Sequence, residues 1–128
     1  MAKNHNKMAN IKVEFEIEYD IFESIIVTAF EGGSNYWMDY DGSHIPSEPK
    51  GEPYTVKIAK KLYNDPNYNI PIIDCETEEE LGILNQANLI KGIELSPMSF
   101  MNVHNENYDV WDTDAILQRA IMGEIVYG

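Results

Sequence analysis

Cysteine is nearly absent, with Cys75 alone in 128 residues. One thiol can form no intramolecular disulfide and no cysteine-based zinc site, and such usage fits a reducing cytoplasm. Bases are scarce too: 9 Lys and Arg stand against 22 Asp and Glu, for a formal net charge of −13. Phosphate backbones and anionic lipid surfaces call for the opposite balance, so neither nucleic acid nor a membrane is expected as a direct partner. No apolar stretch approaches the ~18 residues of a membrane span. The opening, Met1 to Asn10, is polar and lacks the apolar centre of a secretory signal. What is present is an ordinary globular mixture, 44% apolar and 11% aromatic with eight tyrosines, enough to bury a core unaided.

Signatures of catalysis are missing as well. There is no Gly-x-Gly-x-x-Gly and no Gly-Lys-Ser/Thr, so no phosphate cradle is indicated. No Gly-x-Ser-x-Gly surrounds Ser34. Cys75 lies between Asp74 and Glu76, whose charges disfavour a thiolate, and it reads as buried and inert. His5, His44 and His104 show no zinc-binding spacing. The carboxylates around His104 (Glu106, Asp109, Asp112 and Asp114) lack the glycine and terminal Glu of a calcium loop. No enzyme activity, cofactor or metal is therefore expected.

Along the chain, residues 1–10 read as a flexible arm and 11–128 as a single α+β domain. The expected architecture is a small mixed or antiparallel sheet packed with about three helices. Ile11, Val13, Phe15 and Ile17 alternate with Lys12, Glu14, Glu16 and Glu18, the period of a half-buried strand. A helix is expected from Asp20 to Glu31, stopped by Gly32-Gly33 in a left-handed turn. Strands follow at Tyr36–Asp41, at Tyr54-Val56-Ile58 and at Ile70–Asp74, with a Pro- and Gly-rich loop at 42–53. Thr77 and Glu80 have capping-box spacing for a helix that Pro97 ends, and 98–111 reads as irregular. Asp112 or Thr113 should cap a last helix through Met122, before Gly123 and a closing strand at 124–127. Two helices with narrow polar stripes, 20–31 and 113–122, suggest a homo-oligomer, most simply a two-fold dimer.

The charge is the strongest functional signal. Glu14, Glu16, Glu18, Asp39 and Asp41 accompany Tyr36 and Trp37, and aromatic residues beside charges are the composition of interfaces. The pattern suggests a negative, aromatic surface that occupies the basic groove of a partner protein. The alternative is a pocket for a nucleotide-like anion near Tyr36, Trp37, Lys57, Lys60 and Lys61, since those lysines form the one basic cluster.

Two segments carry a resemblance. Val27-Thr28-Ala29-Phe30-Glu31-Gly32-Gly33-Ser34-Asn35-Tyr36-Trp37 resembles a motif of small, mostly uncharacterised bacteriophage and prophage proteins. So does the end, from Asp114-Ala115-Ile116 through Gln118 and Ala120 to Gly123-Glu124-Ile125-Val126-Tyr127-Gly128. Residues 42–110 carry no such resemblance. It implies an accessory protein in the cytoplasm of an infected bacterium. The expected role is inhibition of a host defence protein, a CRISPR effector or another nucleic-acid-directed enzyme. A nucleotide-signal sponge is the other possibility.

Overall fold

The computed structural model describes residues 8–128, so residues 1–7, most of the expected arm and with it His5, lie outside the described residues. The elements run α1 (Tyr19–Thr28), β1 (Met38–Asp39), α2 (Tyr54–Asn64), β2 (Ile70–Asp74), β3 (Glu80–Leu84), α3 (Gln86–Glu94), α4 (Pro97–His104) and α5 (Val110–Met122). The class is α+β. The sheet is antiparallel in the order β1-β2-β3, and the described helices number five rather than about three.

Helix α1 buries Phe22, Ile25 and Ile26, one stripe at helical spacing. It runs without a break into a wider turn at Ala29–Gly33, where Ser34 N–H donates to the Ala29 carbonyl five residues back at 2.8 Å. Helix α5 is the centre of the fold, and every residue from Asp112 to Gln118 is buried. Its start is a reciprocal cap: Asp109 accepts from the Trp111 and Asp112 amides, and Asp112 accepts from the Asp109 amide. Gly123 ends it at φ 79°. Helix α3 crosses α5 at Gly92, where a Cβ would sit 2.6 Å from the Ile116 carbonyl oxygen. Strand β3 makes a similar approach at Gly82, against the Ile121 carbonyl.

Several expectations are corrected. Residues 11–18 form no strand; among the described residues no strand pairs with them, and Ile11, Val13 and Phe15 are exposed. Phe15 rests near the rings of Phe100 and His104 instead, and the Ile17 carbonyl accepts from Tyr63 Oη at 3.2 Å. The segment 54–58 is the start of α2, because Thr55, Ile58, Ala59 and Leu62 together bury a helical stripe that outweighs the short alternation. Thr77 caps nothing helical: residues 75–79 turn the β2–β3 hairpin, with Glu78 at φ 62°, and the helix begins later behind Asn85, which accepts from the Asn88 amide. Pro97 starts α4 rather than ending a helix, so 98–111 is not irregular throughout. Residues 124–127 are a docked tail without strand pairing.

Neither Gly32 nor Gly33 has positive φ, so the expected left-handed stop is absent. Gly33 is needed for proximity instead, since a Cβ there would lie 2.9 Å from the Val110 carbonyl oxygen. Both apolar helices are covered by other parts of the same chain: α1 packs on α2, and α5 packs on α1, α3 and α4. The premise for a dimer, an uncovered helix face, does not hold.

Candidate functional site

Asp114 is 5% exposed and forms no ion pair among the described residues, yet it is saturated by donors. Its Oδ1 accepts from Ser34 Oγ at 2.8 Å and from Trp37 Nε1 at 2.7 Å. Its Oδ2 accepts from Tyr36 Oη at 2.7 Å and Gln118 Nε2 at 3.0 Å. Four donors satisfy both oxygens of a carboxyl group that water cannot reach. Gln118 extends the network: its Oε1 accepts from the Val126 and Tyr127 amides, and its Nε2 also donates to the Tyr127 carbonyl. The Tyr127 ring stacks on Trp37 with centroids 5.2 Å apart, and its hydroxyl donates to Asp74 Oδ2 at 2.6 Å. The two segments that carry the resemblance thus meet at one point, the Asp114–Gln118 face of α5.

Ionisation follows the contacts. Burial, then the bond to Asp114, pushes the Tyr36 hydroxyl up to about 12. The bond to Asp74 is the main reason that Tyr127 also rises to about 12. That same bond, with the Thr77 and Glu76 amides, holds the Asp74 carboxyl below its ordinary range.

Beside β1 lies an open cleft of about 460 Å³. Phe30, Asn35, Asp39, Tyr40, Tyr54 and Cys75 are among the residues that line it. Phe30 and Tyr40 have centroids 5.3 Å apart at 56°. Asp39 Oδ1 accepts from the Tyr40 amide at 2.8 Å, which orients the carboxylate. Cys75 is exposed rather than buried, with Sγ 3.2 Å from the Tyr36 carbonyl oxygen, because it occupies the first turn position after β2. Among the described residues, no group of three or more His, Cys, Asp or Glu side chains is placed to hold a metal ion.

The residues singled out from sequence therefore separate. Trp37 is 1% exposed and belongs to the core, so it cannot anchor a partner without leaving Asp114. Tyr36 is 49% exposed, with its hydroxyl committed to Asp114 and its ring half free. Glu14, Glu16 and Glu18 are exposed on the segment before α1; Asp39 and Asp41 are exposed at the cleft and on the loop behind it. Of the lysines, Lys60 pairs with Glu52 at 2.7 Å and Lys61 lies 5.5 Å from the Tyr68 ring centroid. Lys57 is half-buried on α2, and none of the three lines the cleft.

Sequence reasoning missed the role of Asp114, Gln118, Tyr127 and Asp74, and the gathering of Phe30, Tyr40 and Tyr54. The available signal was the acceptor-rich spacing Asp114-x-x-x-Gln118, which puts two polar side chains on one face of an otherwise apolar helix. Among the described residues no helix is long and apolar enough to cross a membrane. Comparison with protein-family models, curated proteins and solved structures finds no match to this chain.

Proposed function

We propose that this protein works by binding, and that its target is a protein with a basic surface. The observation that carries this reading is the imbalance of charge. The chain holds 22 acids, and among the described residues only Glu52 is engaged in an ion pair. Glu14, Glu16, Glu18, Asp39 and Asp41 all face solvent. Such a field steers encounter with a basic groove and repels nucleic acid itself. Together with the resemblance to bacteriophage proteins, it favours an inhibitor of a host defence enzyme that handles nucleic acid, a CRISPR effector being one example.

The sponge reading has less behind it. The Lys60 ammonium is neutralised by Glu52, Trp37 is turned inward, and the charged group on the cleft is Asp39, which opposes an anion. Catalysis gains no support from Asp114, whose two oxygens already accept four bonds.

The test is capture and kinetics. Immobilised wild-type chain is expected to retain a basic, nucleic-acid-directed protein from the host at low salt and to release it as salt rises. The triple variant E14K/E16K/E18K should associate more slowly, with a flatter salt dependence and an unchanged melting curve. Retention that ignores both salt and the triple variant would remove the acidic surface from the mechanism.

A further inference from the structure

We propose that the cleft beside β1 is a receptor for an arginine side chain, the point at which a basic partner is gripped. The proposal rests on the reading that the partner is basic, and it adds the place and the chemistry of the contact.

The cleft has what a guanidinium needs. Its lining includes three aromatic residues: Tyr54, 44% exposed at the start of α2, lies beside Tyr40, and the buried Phe30 backs Tyr40 with ring centroids 5.3 Å apart. Ring faces attract a cation and stack with the flat guanidinium group. Asp39 supplies the counter-charge. With Oδ1 turned toward the Tyr40 amide, Oδ2 has no partner among the described residues, and the side chain is exposed at the cleft. Asn35 adds a neutral amide. The volume of about 460 Å³ admits the three-methylene stem of arginine together with its head group.

The surroundings favour a cation over an anion. Glu31, next to Phe30 in sequence, accepts from Thr55 Oγ1 in the first turn of α2, so a further carboxylate stands in this part of the molecule although it does not line the cleft. Asp41 follows on the loop, where it accepts from the Ser43 amide. Lys57 is one helical turn beyond Tyr54 on α2 and does not line the cleft. Tyr40 stays neutral through the physiological range: burial first, then Tyr54 and Asp39, push its hydroxyl up to about 12. The receptor is also preformed, because Phe30 is buried and β1 is tied to β2 through Met38↔Asp74 and Asp39↔Ile73.

The proposal is tested with small probes, without the partner. N-acetyl-arginine methylamide, its citrulline counterpart (neutral, same shape) and N-acetyl-lysine methylamide are titrated into the intact protein at low salt, followed by amide NMR shifts. The arginine probe should bind saturably and shift Asn35, Asp39, Tyr40 and Tyr54. It should bind about ten-fold tighter than the citrulline probe, the gain expected from one exposed cation–π contact plus one carboxylate contact. D39N should weaken arginine several-fold and leave citrulline unchanged; Y54A should weaken arginine more than citrulline, whereas Y54F, which keeps the ring, should retain binding. Melting curves show whether each variant is folded. Equal binding of arginine and citrulline, or full binding by folded D39N, overturns the proposal. Lysine binding as tightly as arginine overturns the stacking geometry. If the probes fail while the salt-dependent capture and its loss in E14K/E16K/E18K persist, the arginine receptor falls and the acidic-surface reading stands. If the probes bind as stated and no basic protein is captured, the receptor stands and the broader reading falls.

Discussion

The interior around Asp114 and the cleft around Asp39 both centre on an aspartate, and among the described residues neither aspartate forms an ion pair. Inside, four donors from two separate stretches of chain converge on Asp114, and its two oxygens join Ser34, Tyr36 and Trp37 to α5. Outside, Asp39 accepts from the amide next to it and presents its other oxygen to solvent. The same carboxylate is consumed by the fold in one place and left for a ligand in the other. What separates them is the supply of donors. A buried acid must be satisfied from within, whereas an exposed one is satisfied by water until something better arrives.

The largest test of that contrast is Asp114→Ala. It leaves the Trp37 N–H and Ser34 hydroxyl buried without an acceptor, at about 1–3 kcal/mol each, so urea unfolding should show a loss of about 3 kcal/mol or more. Asp39→Asn should change stability by less than about 0.5 kcal/mol. Equal costs would erase the distinction.

Next in size is the packing around α5. Gly92→Ala drives a methyl against Ile116 and Ala120 and should cost about 1–3 kcal/mol in the same assay. Gly32→Ala, with nothing within 4 Å, should be close to neutral.

Ionisation sharpens the comparison further. Folding raises Tyr36 and Tyr127 from 10.0 to about 12, so the stability they contribute is complete below pH 10 and is lost as pH climbs toward 12. Asp74 runs the other way: its lowered pKa contributes above its ordinary value of 3.8 and is lost as pH falls below it. Near-ultraviolet circular dichroism of the stacked Trp37–Tyr127 pair should therefore fade at both extremes. Tyr127→Phe should remove the alkaline contribution of that residue while keeping the stack. The smallest effect is a gain. Glu78→Gly relieves a non-glycine residue at φ 62° and should stabilise the hairpin by about 0.5 kcal/mol, seen as a slightly higher melting temperature.

Legibility in the sequence followed the length of each signal. Helix α1 and the body of α5 were readable because ten or more residues repeat one stripe. The β2 strand was readable as a short apolar run. Its Pro71 is tolerated because the two residues of β1 pair only with Ile73 and Asp74 and stop short of it. Residues 11–18 and 54–58 misled for the same reason: three or four alternating side chains fit either period, and only the presence or absence of a neighbouring strand decides. Of the site, the exposed acids were legible as a surface. The position of Trp37 was not, because burial depended on Asp114, 77 residues away. The spacing Asp114-x-x-x-Gln118 marks an acceptor face on α5, but nothing local says which distant residue will meet it.

The wide turn at Ala29–Gly33 bears on how this chain tolerates changes of length. A turn that closes five residues back rather than four is a helix with one residue to spare, and it can absorb a deletion without breaking. Removing one residue from 29–33 would let α1 continue as ordinary helix. The five residues of the wide turn cover the arc that about four take in an ordinary helix, so the chain would leave it with nearly the same heading. Ser34, Tyr36 and Trp37 would then still reach Asp114 on α5. The surplus residue is slack in the chain, and a shortened chain would keep both its helix and its aim.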